Sequence, residues 1–454
     1  FFLEETMSKA NNLQIIRNRK NSVADFLEYC LSQNRTELIF IATMVISIVS
    51  FLTICCIKGE VFYSFYFYKS GEDIFMDFFN SVRDASQGME CYSERGVIYP
   101  PLANLFYLFC SRFATDVSNN APLENKLDIY TDVSSMMMFF YSTVALVVIL
   151  VATLTRYQKN GRSLKFVLIF FSVFNAPFFY LFERGNIVLA AYVFTMIFVF
   201  YFDNEDKKIR IIAIIALVLA AGIKLYPAVF GLLLLTNKQY KTAVKAAIGG
   251  IMTVIIPSLF FGSDYGALYW IKNIIRFSSD KNASNSFIEV NSVKSIYYII
   301  MTIFHRIGEL SPIINLIFVV VPVFICLLAI FVLPKKWQKV FAVVIMMLNI
   351  PGCSGHYSLV FLLIPMLMMM FEKQIYLKDY LYFIFSIPIF PFYVFPIYFQ
   401  NQALSVNRFI CGVFATFIFV VITKDTVVEL IKIVKRQRPI VIPYSENYET
   451  LSSK

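Results

Sequence analysis

Apolar runs of membrane length recur along this chain, and they limit its possible folds more than any other feature. The first is Leu38–Ile57. Ser134–Leu154, Phe166–Phe182, Ile187–Phe202, Ile211–Ile223, Leu225–Leu235, Ala246–Phe261, Ile313–Leu333, Val340–Ile350, Tyr357–Phe371, Tyr380–Phe399 and Phe409–Ile422 follow it. A helix needs about 20 apolar residues to cross the hydrocarbon core, so twelve crossings use about 240. The chain has 454 residues, 58% hydrophobic and 15% charged. A soluble domain carries about 25% charged residues, so nothing here is left over for a separate soluble domain. Backbone in lipid must satisfy its own hydrogen bonds, which selects helices. The expected fold is an all-α polytopic membrane protein with about twelve transmembrane helices, eleven to thirteen. Several runs are shorter than about 17 residues, which suits discontinuous helices lining a cavity.

Loop charges orient these runs. The connections at 155–165 (Arg156, Lys159, Arg162, Lys165), 236–245 (Lys238, Lys241, Lys245) and 334–339 (Lys335, Lys336, Lys339) are basic and contain no acid. With twelve crossings they share one side with the tail bearing Lys432, Lys435, Arg436 and Arg438. Basic loops stay in the cytoplasm, so both termini are expected there, in a plasma membrane. The 58–98 and 114–132 loops, rich in Asp and Glu, then lie outside. Tyr99–Phe113 is apolar but short; as a full crossing it would put the basic loops outside, so it is read as a re-entrant or juxtamembrane helix. The organisation is thus a cytoplasmic or interfacial segment over 1–37, a transmembrane domain over 38–424 with outer loops at 58–132 and 263–311, and a basic cytoplasmic tail over 425–454. The net charge of +10 is explained by these inner loops and calls for no nucleic-acid partner. The eight cysteines show no metal-ligand spacing; Cys91 and Cys353 are the pair that could meet in an oxidising compartment. No cleavable signal peptide is visible. The chain opens on Phe1, so its first residues are read as a fragment or a start-site artefact, with Met7 a plausible start.

On the outer side, polar groups gather near membrane depth, where ionisable residues are costly and usually functional. The first outer loop contains "GEDIFMDFFNSVRDASQG", with Asp73 and Asp77 one helical turn apart, and then the stiff turn "YPPLANLFY" beginning at Tyr99. Arg184 and Asn186 sit in "FERGNIVLA". Lys224 interrupts "AAGIKLYPAVFG", where Pro227 cannot donate a helical hydrogen bond. His356 sits in "NIPGCSGHYSLVF". Each has an ordinary reading: Asp77 solvated, Arg184 an interfacial anchor paired with Glu183, Lys224 snorkelling to headgroups, His356 hydrogen-bonded at a helix end. His305 reads as a plain loop residue, and Met366–Met370 as packing or lipid-facing surface. Jointly, a carboxylate, an imidazole and two cations beside lipid suit a phosphate-linked lipid substrate. Arg grips phosphate in bidentate fashion, Lys acts as a point charge, and a carboxylate can take the proton of an attacking hydroxyl.

At these residues the chain resembles the membrane-embedded glycosyltransferases of the GT-C superfamily, and is most similar to family 87, which includes mannosyltransferases using polyprenyl-phosphate donors. The matching stretches, in the family's order, are "MDFFNSVRDASQG", "IYPPLANLFY", "ERGNIVLA", "GIKLYPAVFGLLLL" and, more loosely, "NIPGCSGHYSLVFLLIP". The resemblance implies a GT-C-like bundle with a juxtamembrane-helix outer loop after the first span. It implies inverting transfer of a sugar from a polyprenyl-phosphate donor to a glycan or glycolipid acceptor on the outer face. Asp77 would be the general base, with Asp73 as rival. His356 would contact the donor phosphate or the acceptor. Arg184, Asn186, Lys224 and Tyr99 would bind the donor phosphate and shape the pocket. In the 263–311 loop, Trp270, Lys272 and Arg276 suit an interfacial helix, and Asn285, with Asn282 and Ser286, would border the sugar. No metal or other cofactor is expected. The His turn lacks the Trp and doubled His common in the family, and Arg-Gly-Asn replaces a Gln-bearing form, which bears on sugar and acceptor identity.

Two other classes compete. A transporter or flippase of lipid-linked sugars would show inverted repeats and midplane charges, and neither is visible. A polysaccharide polymerase or ligase would also gather Arg and His outside, but lacks the early Asp-bearing loop.

Overall fold

The computed structural model describes residues 35–58, 74–88, 90–113, 132–157, 162–261, 266–279, 292–297, 311–350, 355–372, 375–392, 397–399, 402–404 and 406–435. The segment 1–34, Asp73, Asn285, His305, Cys353 and the tail beyond 435 lie outside the described residues, as do parts of the 58–132 and 263–311 loops.

The described chain is almost entirely helical. Its elements are α1 (Arg35–Lys58), α2 (Met76–Ser86), α3 (Glu90–Ser93), α4 (Pro101–Ser111), α5 (Val133–Tyr157), α6 (Arg162–Val173), α7 (Ala176–Glu183), α8 (Val188–Tyr201) and α9 (Lys207–Ile223). Next come α10 (Tyr226–Thr236, opening as a 3-10 turn), α11 (Tyr240–Ser258), α12 (Gly266–Ser279), α13 (Pro312–Val332), α14 (Lys336–Asn349) and α15 (His356–Met370). The chain ends in α16 (Tyr380–Ser386), the hairpin of β1 (Ile397–Phe399) and β2 (Gln402–Leu404), and α17 (Val406–Val434). The hairpin is antiparallel, with Ile397 opposite Leu404.

Five helices are long and apolar enough to cross a bilayer: α1, α5, α11, α13 and α17. A sixth crossing results if α6 and α7, bent by 49° at their junction, form one broken span. The twelve expected crossings therefore exceed those that length and composition establish among the described residues. The other apolar helices, including α4, α8, α10 and α15, are shorter. An apolar helix that is hydrophobic all round belongs inside a bundle. α8, α14 and α15 behave this way, with Val188–Val193, Val340–Leu348 and Leu359–Met370 buried. The Met366–Met370 stripe is packing, not lipid surface. Around them α1, α5, α11 and α13 turn Ile46, Val144, Val148, Ile255, Leu316 and Phe324 outward.

The sequence run Tyr380–Phe399 is not one helix. α16 stops at Ser386, where Pro388 and Pro391 each withhold a backbone donor, and the hairpin follows. The broken backbone is satisfied from neighbouring segments. Ser47 on α1 donates to the Phe392 carbonyl at 3.3 Å and accepts from its N–H at 2.6 Å. Ala176 N–H, at the α6–α7 bend, donates to the Phe390 carbonyl at 2.9 Å. In the bend itself Asn175 accepts from Phe178 N–H and donates to the carbonyls of Phe171 and Ser172. α17 continues past residue 424, and Asp425 accepts from Tyr382 Oη at 3.1 Å.

α8, α9 and α14 have their charged ends sorted. One end carries Asp203, Lys335, Lys336, Glu372 and Asp379. Lys335 bridges Asp379 at 2.6 Å and Lys336 bridges Asp203 at 2.7 Å. The 334–339 loop, wholly basic in sequence, is thus partly neutralised by acids from other connections. The opposite ends carry Arg184, Asn186 and Lys224, roughly 21 Å away along the fourteen residues of α8.

Lys335→Met strands the Asp379 carboxylate, whose side chain is 0% exposed. Removing one partner of a buried pair costs roughly 3–5 kcal/mol. Thermal unfolding in detergent should show a large drop for this variant, with much of it recovered in Lys335→Met/Asp379→Leu.

Candidate active site

The site begins with backbone. Phe75 adopts a left-handed conformation, φ 58°, just before α2. Its N–H donates to the Glu183 carbonyl at 2.7 Å, and the Asp77 N–H donates to the Arg184 carbonyl at 3.0 Å. The start of α2 is therefore stitched to the turn between α7 and α8. Gly185 makes that turn possible. Its φ is +63°, and a Cβ there would lie 3.1 Å from the Cα and carbonyl oxygen of Phe75. Phe75 and Phe78 wedge the joint against Phe139 of α5, with ring centroids 4.6 and 5.2 Å away.

This joint brings Arg184 and Asn186 to Asp77. Arg184 Nη2 donates to one carboxylate oxygen of Asp77 in an ion pair, and Asn186 Nδ2 donates to the other at 2.7 Å. The Asn186 side-chain oxygen accepts from Val188 N–H at 3.0 Å, which fixes the amide at the start of α8. The Asp77 side chain stays 18% exposed and that of Arg184 15%, so the pair is sheltered but reachable.

Tyr99 and Lys224 complete the cluster. Asn186 Nδ2 lies 3.4 Å from the Tyr99 hydroxyl. The Lys224 ammonium sits 3.9 Å from the centre of the Tyr99 ring, a cation–π contact. Lys224 is the residue at which α9 ends, with extended backbone, in the break before α10. Gly222 lets α4 and α11 close in beside it, since a Cβ there would fall 2.8 Å from Leu102 and 2.5 Å from the Thr253 hydroxyl. Burial pulls Lys224 down from the ordinary lysine range to about 8, and the Asp77 charge opposes that fall. Burial, with the Asp77 charge adding to it, pushes the Tyr99 hydroxyl up, so it stays protonated.

His356 is buried at the start of α15, its ring edge-on to Tyr180 at 5.5 Å. Tyr180 lies one turn before Arg184, so α7 joins the imidazole to the Asp77 cluster. Arg184 thus pairs with Asp77, and Lys224 lies over the Tyr99 ring. Asp73 and Asn285 lie outside the described residues. Cys91 is a buried free thiol. Among the described residues no three His, Cys, Asp or Glu side chains converge.

Sequence reasoning missed a layer of support. Asn104 of α4 donates to the Tyr92 hydroxyl at 2.7 Å, and Tyr92 donates to the Tyr99 carbonyl at 3.0 Å. Lys294 is buried, and its neighbour Val293 donates to Asn349 at the end of α14 at 3.2 Å. Single polar residues within apolar stretches, Asn104 in "PLANLFY" and Lys294 in "SVKSIYYI", were the available signal.

The family model for glycosyltransferase family 87 matches residues 98–351, more than half of the chain. The chain belongs to glycosyltransferase family 87. It is a membrane glycosyltransferase, acting between a sugar donor and an acceptor. No curated protein and no solved structure matches it. The family 87 match contains Tyr99, Arg184, Asn186 and Lys224, and Asp77 and His356 flank it. Asp77 is tied to the matched region by its contacts with the 183–186 turn.

Gly185→Ala meets both the left-handed penalty, about 1–2 kcal/mol, and the contact with Phe75. It should lower the thermal midpoint and sugar transfer together. Gly250→Ala, with open space around its Cβ, should leave both near wild type.

Proposed function

We propose that this protein transfers a sugar from a polyprenyl-phosphate donor to a glycan or glycolipid acceptor at the outer face of the plasma membrane, with inversion. The observation that carries this reading is the Asp77 carboxylate held between Arg184 and Asn186, beside Lys224. The acceptor hydroxyl oxygen attacks the anomeric carbon as the bond from that carbon to the phosphate oxygen breaks. Asp77 takes the hydroxyl proton, and the lipid phosphate leaves with one more negative charge. Negative charge therefore disappears from Asp77 as it appears on the phosphate, while the surrounding cations keep a partner throughout. A guanidinium has five N–H donors, so Arg184 can hold Asp77 and grip the phosphate, with Lys224 as a second cation. Cations placed where charge develops stabilise such a transition state.

Asn186 and Tyr99 shape the pocket, His356 contacts the donor phosphate or the acceptor, and Asn285 borders the sugar. The shorter helices α8, α9, α10, α14 and α15, and the Tyr380–Phe399 segment opened by α16, also cross the membrane in this reading, for about twelve spans. The site end then faces outward, and the end with Lys335 and Lys336 faces the cytoplasm together with both termini. Alternating helix ends support that arrangement, since Arg184 and Lys224 fall at one end and Asp203 and Lys336 at the other.

The test is transfer from radiolabelled polyprenyl-phosphate sugars by membranes carrying each variant. Asp77→Asn should lose about 10²–10⁴-fold in rate, the usual worth of a general base. Undiminished transfer would remove Asp77 as base, and loss on Asp73→Asn instead would move the role there. Lys224→Met should lose about 10²–10³-fold. In the wild type, transfer should decline as pH rises through about 8, where the Lys224 ammonium gives up its proton; a flat rate across that range would contradict its role.

A further inference from the structure

The stretch between α3 and α4 is irregular, and its carbonyls have no ladder to join. Gly96 turns it with φ +66°, and Pro100 disfavours helical backbone at Tyr99. A buried or half-buried carbonyl needs a donor, and here side chains supply them. The Trp270 indole N–H of α12 donates to the Ile98 carbonyl at 3.0 Å. Asn273 Nδ2, one turn along the same helix, lies 2.8 Å from the Tyr92 carbonyl and 3.2 Å from that of Val97. Trp270 also packs with Cys91, Tyr92, Val97 and Phe261 in a small core separate from the main one, with Tyr99 against its edge. The opposite face of α12 turns Leu268 and Ile271 outward. Polar and apolar contacts alike thus fix α12 to the few residues that precede Tyr99.

From this we infer that Trp270 and Asn273 are positioning residues, holding the 97–99 stretch so that Tyr99 covers the Lys224 ammonium and reaches Asn186. The inference rests on the transfer reading only for its effect on rate; its structural half stands on the contacts. Trp270 and Asn273 come from the 263–311 loop, and their polar contacts go to backbone carbonyls. Their influence passes through Tyr99, whose ring is a wall of the Lys224 pocket. Among the described residues, Asp77 of α2 and the Tyr99 ring face Lys224 directly, and Tyr99 in turn interacts with Arg184 of the 183–186 turn, Tyr107 of α4 and Tyr226 of α10. Of these, Tyr99 is the one that α12 holds in place. Loosening it rehydrates the ammonium and leaves Asp77 and Arg184 joined through the backbone stitch at Gly185.

Trp270→Phe removes the indole donor and keeps most of the packing; Asn273→Leu removes the amide and keeps the volume. The control is Leu268→Ala, on the outward face. In proteoliposomes, kcat for transfer should fall between about tenfold and a hundredfold in both positioning variants, and stay at the wild-type value in the control. The second readout needs no activity: the pH midpoint for modification of Lys224 by acetic anhydride, followed by mass spectrometry of its peptide. It should move from about 8 toward the ordinary lysine value of 10.5 in both positioning variants, at thermal midpoints that show them folded. Wild-type kcat with an unmoved Lys224 midpoint in both overturns the inference. A moved midpoint together with full transfer by Asp77→Asn keeps the inference and defeats the transfer reading. An unmoved midpoint with inactive Asp77→Asn does the reverse.

Discussion

The joint between the start of α2 and the α7–α8 turn is the contact on which the site depends. Two backbone hydrogen bonds, from Phe75 to Glu183 and from Asp77 to Arg184, hold a loop helix to a bundle helix more than a hundred residues away. They work because Gly185 has no side chain to keep the strands of the joint apart. Peptide groups unpaired in lipid cost several kcal/mol each, so a chain can break its helices only where another segment supplies partners. At 183–186 the partner is the Asp77 loop. At 174–176 and 390–392 the partners are Asn175, Ser47 and the broken segments themselves. The first kind of break carries the ionisable cluster, while the second is closed by neutral side chains and serves the bundle's shape.

Charge divides the molecule in the same way. At one end Lys335 and Lys336 face Asp379 and Asp203, pairs that tie connections together. At the other, Arg184 and Lys224 flank the Asp77 carboxylate, which is still reachable. A paired, fully buried carboxylate such as Asp379 contributes to fold. A cation-rich cluster that keeps some exposure is suited to exchange its anion, as the proposed transfer from a phosphate donor with Asp77 as base would require.

The membrane class and most helix positions were legible because hydrophobic runs report burial in lipid or bundle directly. Tyr380–Phe399 misled for a physical reason: its composition is apolar, but Pro388 and Pro391 deny it a continuous helical ladder. Phe166–Phe182 likewise hides the Asn175 bend, which a local side chain makes tolerable. The residues of the site were legible as costly polar groups at helix breaks. Which of them meet was not, because the pairing of Asp77 with Arg184 depends on how a loop folds back across a long sequence separation. Trp270 and Asn273 were less visible still. Trp270 suggested an interfacial anchor, and only the fold shows that α12 turns both residues inward onto backbone carbonyls.

The most direct measurement is a structure of the protein with a non-transferable polyprenyl-phosphate sugar analogue bound. The phosphate is expected within ion-pair reach, about 4 Å, of Lys224 and Arg184, with the anomeric carbon open to a hydroxyl that touches Asp77. A phosphate seated at the Lys335–Lys336 end of the bundle, or an anomeric carbon remote from Asp77, would contradict it.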